Sequence, residues 1–289
     1  MAQRRPSALI GGCILMLHAF YGRRYHMKNR RSQPARVVLI DVGNTSTTIG
    51  VRIGAKVRRV TDLATVGTRG GSAREALDAV GADEEVAGVV YASVVPECDS
   101  FWLKHIHSRF GINPLVVDSR LNLGVRIVYP NASSLGADRL ANVCGAVRKY
   151  GAPVIVCDFG TAATFDVVTR DKRFVGGVIA PGLGLMTDYM ADRTSQLPRI
   201  ALAGGRCDRV FGKSTVEAMQ IGVRTGSRGM VREILAGLRT YSGLRRARIC
   251  ATGGHAVWLK TNLAMKITID PDLTLFGLAA IHELNSGTG

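Results

Sequence analysis

Apolar residues in this chain fall into two patterns. Short unbroken apolar runs closed by glycines and polar turns read as buried strands. Runs with apolar residues at i, i+3, i+4 and i+7 read as helices with one buried face. The clearest strand is 154–157 (Val-Ile-Val-Cys), which ends on Asp158. Phe159, Gly160, Thr161 and Ala162 then allow a tight reversal, and 163–168 reads as the returning strand. The same design occurs earlier: strand 37–40, then Asp41, Val42, Gly43, Asn44 and Thr45, then strand 46–51, opened by Ser46, Thr47 and Thr48. Further strands are expected at 86–93, 114–118 and 247–252. A helix is expected over 96–110, stopped by Gly111, and a shorter one opens at Ser72, whose spacing to Glu75 is that of a capping box, and closes at Gly81. Strands mixed with helices in this way predict an α/β fold.

Each copy of the hairpin sets a carboxylate at a strand end, beside a glycine and hydroxyl side chains. Glycine lets backbone N–H groups approach a ligand closely, threonine hydroxyls can donate to phosphate oxygens, and the aspartate can hold a cation that bridges to them. A single Asp-x-Gly turn is ordinarily only a connection between two strands. Two copies, each opening about half of the chain, predict a duplicated α/β domain with a nucleotide clasped between the hairpins.

A third stretch, 129–150, adds an acceptor side to this picture. Leu140, Val143, Cys144 and Val147 have helical spacing, with Asp138 at the start of that helix. Asp138 reads in two ways, as a helix N-cap or as a carboxylate facing a cleft where it accepts a hydroxyl proton. Its neighbour Arg139 suits a substrate carboxylate or phosphate.

Composition narrows the setting. With 289 residues, 46% of them apolar, the chain can form one large domain or two ordinary ones. Its six cysteines (13, 98, 144, 157, 207, 250) form no C-x-x-C pair. That spacing argues against the common zinc and redox motifs and predicts reduced thiols in a cytoplasmic protein. No apolar run reaches the roughly 18 residues of a membrane span. The net charge of +16 suggests nucleic acid until it is located: residues 1–36 carry eight basic and no acidic residues, half of the excess. The body keeps a moderate positive field that suits an anionic substrate such as ATP. Residues 1–36, with Met27 a candidate start just ahead of the first strand, read as a start-site artefact or a disordered extension and carry nothing catalytic.

The motifs together are more specific than any one of them. Asp-x-Gly-Asn-Thr (41–45), Gly-Ala-Asp-Arg (136–139) and Asp-Phe-Gly-Thr-Ala-x-Thr (158–164) resemble those of the type III pantothenate kinases in order and spacing. Gly-Gly-x-Ile-Ala-Pro-Gly (176–182), Leu197-Pro198, Thr-Val-Glu-Ala-Met-Gln-x-Gly (215–222), Thr-Gly-Gly (252–254) and Asp-Pro-Asp-Leu-Thr-Leu-x-Gly-Leu (270–278) fit the same family. The resemblance runs from about residue 37 to 283; Phe276 departs from it, standing where the family tends to carry a polar residue. It implies an actin-like (RNase H-like) fold of two duplicated domains, here 37–151 and 152–285, with a nucleotide cleft between them. It implies transfer of the ATP γ-phosphate to the primary hydroxyl of pantothenate, the first step of coenzyme A biosynthesis. By that resemblance Asp138 is the general base, and Tyr129, Gly136, Ala137, Asp138, Arg139 and Thr215 bind pantothenate. Asp41 to Thr48 and Thr161 contact ATP with its Mg²⁺, and Asp158 holds a monovalent cation, potassium or ammonium. The family is dimeric, with the substrate pocket near the subunit interface.

The remaining stretches have plain structural readings. Gly212-Lys213-Ser214-Thr215 ends like a Walker A loop, but Cys207 stands where its first glycine belongs. Ser214 and Glu217 have capping-box spacing instead. Gly253-Gly254 reads as a strand-to-helix turn or as a close approach to adenosine. His105 and His107 point different ways on a helix and suit a surface. Arg245-Arg246-Ala247-Arg248 lacks interleaved aromatics, so no nucleic-acid partner is expected. Two other readings were open, a transcription accessory protein on the same fold and an actin- or chaperone-like ATP-driven machine. The first has no need to keep Asp41, Asp138, Arg139, Asp158 and Thr161 together, and the second has no need of a Gly-Ala-Asp-Arg loop.

Overall fold

Two sheets are built to one plan. In the first, β1 (Arg36–Val42), β2 (Ser46–Ile53) and β3 (Lys56–Ala64) form an antiparallel meander, after which β4 (Val86–Ser93) and β5 (Leu115–Val116) add in parallel on the other side of β1, giving the order β3-β2-β1-β4-β5. In the second, β7 (Val154–Phe159), β8 (Ala162–Val168) and β9 (Arg173–Pro181) repeat the meander, and β10 (Arg248–Thr252) and β11 (Thr268–Ile269) repeat the parallel additions. One short strand, β6 (Arg126–Ile127), extends the second sheet beyond β9, for an order of β11-β10-β7-β8-β9-β6. The duplication inferred from two hairpins therefore extends to five strands in each half.

This computed structural model describes residues 35–65, 71–81, 85–202, 209–263 and 265–287. Residues 1–34, with Cys13 and Met27, and Cys207 lie outside them. The four cysteines within are buried, and no helix among the described residues is long and apolar enough to cross a membrane.

The helices follow local chemistry. α2 (Pro96–Phe110) has proline at its start, Glu97 and Asp99 in its first turn, and Gly111 at φ 66° closing it onto the His107 carbonyl. α1 (Gly71–Gly81) starts one residue ahead of Ser72, so that serine lies inside the first turn and is not the cap. α3 (Ala137–Tyr150) buries Leu140, Val143, Cys144 and Val147, each worth roughly 1.5–3 kcal/mol relative to exposure. Beyond β9 come α4 (Leu183–Arg193), α5 (Thr215–Thr240), α6 (Ala256–Leu263) and α7 (Leu273–Ser286). Ser214 caps α5, accepting the Glu217 N–H at 3.2 Å, while the Glu217 carboxylate accepts the Lys213 N–H at 2.8 Å. His105 stacks on Phe101 and accepts from Arg74, a structural role.

The two sheets are joined by a helix crossing. α7, the last element of the chain, packs on α3 and also on β1, sharing one apolar cluster with Val37, Leu39, Val90, Leu140 and Val156. The helices meet backbone to backbone: a methyl on Gly277 would overlap the Ala141 carbonyl, and one on Gly145 would lie 2.8 Å from the Leu273 carbonyl. Phe276, the residue that departs from the family pattern, lies beneath the Lys149 ammonium, 5.3 Å from its ring centre.

Gly277→Ala is accordingly expected to destabilise the protein by roughly 2–3 kcal/mol, because the added methyl forces the two backbones apart. Gly237→Ala, on an exposed stretch of α5 with open space around it, is expected to stabilise by about 0.5 kcal/mol. Denaturant unfolding of the two variants checks the pair.

Candidate active site

The two hairpins face each other across a cleft of about 740 Å³. In the first, Asp41, the residue before the last of β1, lies opposite Thr48, and Gly43 N–H donates to the Ser46 carbonyl at 3.0 Å. In the second, Asp158 lies opposite Thr164, and Gly160 N–H donates to the Ala162 carbonyl at 3.1 Å. The hairpin tips touch, with Thr45 Oγ1 and Thr161 Oγ1 2.7 Å apart. Asp41, Gly43, Asn44, Thr45, Ser46, Thr48, Asp138, Asp158 and Thr161 line the cleft, together with Gly253 and Gly254. Val42 and Thr47 do not: the alternation of a strand turns both into the core, where Thr47 Oγ1 lies 3.0 Å from Thr65 Oγ1. Thr65 in turn donates to the Gly43 carbonyl at 2.7 Å, stapling the turn.

Asp138 is not the helix cap. Gly136 occupies that position, and Asp138 lies in the first turn with Oδ1 accepting the Arg139 N–H at 2.7 Å, a contact that fixes its rotamer toward the cleft. Arg139 turns the other way. Its guanidinium is buried and donates through Nε (3.0 Å) and Nη2 to Asp166 Oδ1, with Phe174 beneath it at 5.9 Å. Tyr129 stacks on that aromatic ring, 6.4 Å between centres and 6° between planes. Asp138 lines the cleft, and its neighbours Gly136, Ala137 and Arg139, like Tyr129, do not. Thr215, exposed at the first turn of α5, is not brought to it.

Two of the residues that hold the site together, Asn142 and Asp166, carry no short motif. Asn142, fully buried one helical turn after Asp138, donates to Asp158 Oδ2 at 3.0 Å and accepts from Thr274 Oγ1 at 2.8 Å. Asp166 was visible only as a carboxylate in an apolar strand. Gly253, at φ 90°, is required: a Cβ there would lie 2.5 Å from Asp158 Oδ1 and 2.6 Å from the Phe159 backbone.

Three carboxylates are crowded here. Burial, then the Asp138 and Asp158 charges, push Asp41 up to about 8, against a smaller lowering by Arg59. Burial and Asp138 push Asp158 up to about 6, and burial raises Asp138. Asp41 Oδ1 is sealed from solvent with no hydrogen-bond partner. An orphan carboxylate oxygen among like charges fits a hard cation. Among the described residues no group of three or more His, Cys, Asp or Glu forms a metal cage, so such a cation would complete its shell with ligand oxygens.

Paired five-stranded units with an acidic hairpin apiece are the actin-like ATPase and sugar kinase fold. Solved structures of that shape include a protein from Campylobacter jejuni described as a Baf family transcriptional activator (TM-score 0.56, 18% identity, covering 86% of this chain and 99% of that one). Another is a protein from Sinorhizobium meliloti described as a 2-dehydro-3-deoxygalactonokinase (TM-score 0.50, 12% identity, covering 86% and 98%). The family is fixed by sequence: residues 37–237 match the family model of type III pantothenate kinase. The type III pantothenate kinase of Moorella thermoacetica is 36% identical over 86% of this chain and all of its own length. That of Akkermansia muciniphila is 46% identical over 70% of this chain and 83% of its own. The chain belongs to the type III pantothenate kinase family and is an ATP-dependent kinase.

The crowded carboxylates make stability depend on pH. The folded protein holds protons on Asp41 and Asp158 well above the usual value of 3.8 for the unfolded chain. Their contribution is therefore full below about pH 4 and lost as pH rises through 6 and 8. The ligand-free protein is expected to lose several degrees of Tm between pH 5.5 and 8.5, and millimolar Mg²⁺ with nucleotide to restore them at the upper end. Thermal melts across that range with and without Mg·ATP measure it; a Tm that rises with pH would contradict the assignment.

Proposed function

We propose that this chain transfers the γ-phosphate of ATP to the primary hydroxyl of pantothenate, giving 4'-phosphopantothenate at the start of coenzyme A biosynthesis. The observation that carries the reading is the placement of Asp138 in the same cleft as two facing phosphate hairpins, in a chain of this family. Phosphoryl transfer passes through a loose transition state, so catalysis is mainly positioning and charge neutralisation. The Gly43–Ser46 and Gly160–Ala162 turns supply N–H and hydroxyl donors for the phosphates from opposite sides. Asp138, held by the Arg139 N–H, orients the acceptor hydroxyl and takes its proton, and its raised pKa brings it nearer to the working pH. Asp41 would hold Mg²⁺, which would supply charge neutralisation.

Pantothenate fits beside Asp138 on the Gly136–Arg139 side, with Tyr129 as a flanking surface. Arg139 is bound to Asp166, so its part is to shape that wall and set the local field, and less to grip a carboxylate alone. Asp158 is the place for a monovalent cation, potassium or ammonium, next to Asn142. Thr215 stands exposed and apart from the cleft, which favours a homodimer in which a second copy completes the acceptor pocket. Buried thiols accord with a cytoplasmic protein. The transcription accessory reading gains only the description of a structural neighbour at 18% identity, a likeness of fold.

The test is coupled ADP release with ATP, Mg²⁺ and potassium, with and without pantothenate, for the parent and Asp138→Asn. Pantothenate-dependent turnover is expected in the parent, falling by about 10²–10⁴ in the variant. No turnover in a folded parent would sink the kinase reading, and full turnover in Asp138→Asn would remove Asp138 as the base.

A further inference from the structure

The segment 270–274, which closes the set of motifs, has no role in the chemistry described so far. It runs from the end of β11 into the first turn of α7, and Pro271 and Thr274 line the cleft. Thr274 connects it to the second hairpin through Asn142 and Asp158. A second chain of contacts connects it to the first hairpin, and Arg59 of β3 is its centre. Arg59 Nε donates to Asp272 Oδ1 at 3.0 Å, Nη2 donates to the Pro271 carbonyl at 2.7 Å, and Nη1 donates to both Asp62 oxygens at 3.2 Å. Asp62 also accepts from Thr48 Oγ1 at 2.7 Å, and Thr48 is the residue paired with Asp41 across the hairpin. The path Thr48–Asp62–Arg59–Asp272 thus ties the first hairpin to the start of α7, as Asp158–Asn142–Thr274 ties the second.

Two further observations single out Arg59. Among the described residues lining the cleft it is the one arginine or lysine, set against Asp41, Asp62, Asp138, Asp158 and Asp188. All three of its guanidinium nitrogens already have protein acceptors, so it is built to hold two elements together and not to take up a phosphate directly. Its ion pairs are about half exposed, and pairs of that kind add little to global stability. A bidentate-capable fork spanning two elements at a ligand cleft has its main effect on geometry.

We infer that Arg59 is a positioning residue for the nucleotide: by joining β3 to the Pro271–Asp272 turn it sets the spacing between the two phosphate hairpins. The inference rests on the kinase reading above. Loss of the fork leaves both hairpins folded but no longer held at one separation, so the penalty falls on the ligand that touches both. The acceptor, on the Gly136 side of Asp138, is spared.

Steady-state kinetics of the full chain test this, with Mg·ATP varied at saturating pantothenate and pantothenate varied at saturating Mg·ATP, alongside the rise in Tm that Mg·ATP induces. Arg59→Met is expected to raise the KM for ATP about tenfold or more, to leave the KM for pantothenate within about twofold, and to shrink the nucleotide-induced rise in Tm. Arg59→Lys, which keeps the charge but not the fork, is expected to fall between parent and Arg59→Met. A parent-like KM for ATP in folded Arg59→Met overturns the inference, and so does an equal rise in both KM values, the sign of general loosening. Should Arg59→Met not fold, Asp272→Asn, which keeps the shape and removes one charge, decides on the same two criteria. An inactive parent removes the kinase reading instead, and the nucleotide-induced Tm shift of parent against variant then decides on Arg59 alone.

Discussion

The contact of Gly277 with Ala141 admits no side chain, and most of the site depends on it. α3 begins at the residues that present Asp138 and carries Asn142 one turn later; α7 begins at the residues that meet Arg59 and carries Thr274. Bringing the two backbones into contact at Gly145 and Gly277 lets these polar residues reach Asp158 without intervening bulk. A larger residue at either glycine would part the helices, and the short contacts from Thr274 to Asn142 and from Asn142 to Asp158 would go with them. Packing in the middle of the molecule thus sets hydrogen bonding at its cleft.

The same closeness concentrates negative charge. Asp41, Asp138 and Asp158 are near enough for each of the outer two to be raised by Asp138. A cleft of that sign repels a polyphosphate unless cations come with it. Metal, nucleotide and protein are therefore interdependent, and the protein contributes oxygen ligands and fixed donors in place of a closed metal cage. Arg59 and Arg139, the two arginines nearest these carboxylates, are each committed to protein acceptors and so act as fixed parts of the frame.

Much of this was legible in the chain because it is locally encoded. The two Asp-x-Gly turns, the strand at 86–93, the helix at 96–110 and the cap at Ser214 all follow from adjacent residues, and the structure has each of them. Other features were not legible. β3 carries Lys56, Arg58, Arg59 and Asp62 with no clean alternation, since it is an edge strand with charged residues on its exposed positions. β6 is two residues long and exists only because β9 offers it an edge. Asp138 read equally well as a cap, and only the position of Gly136 separates the two roles. Asn142 had one available signal, a polar residue on the buried face of an otherwise apolar helix, four residues from Asp138. Arg139 was expected to face a substrate, and its partner Asp166 lies 27 residues away, a pairing that no local pattern encodes.

The central claim is that both hairpins clasp one nucleotide across the cleft, and amide hydrogen exchange of the intact protein with a non-hydrolysable Mg·ATP analogue tests it most directly. The account predicts that exchange slows together in 41–48 and 158–164 when the analogue binds, while the exposed face of α5 is unchanged. Protection confined to one hairpin, with the other exchanging as in the free protein, would contradict it.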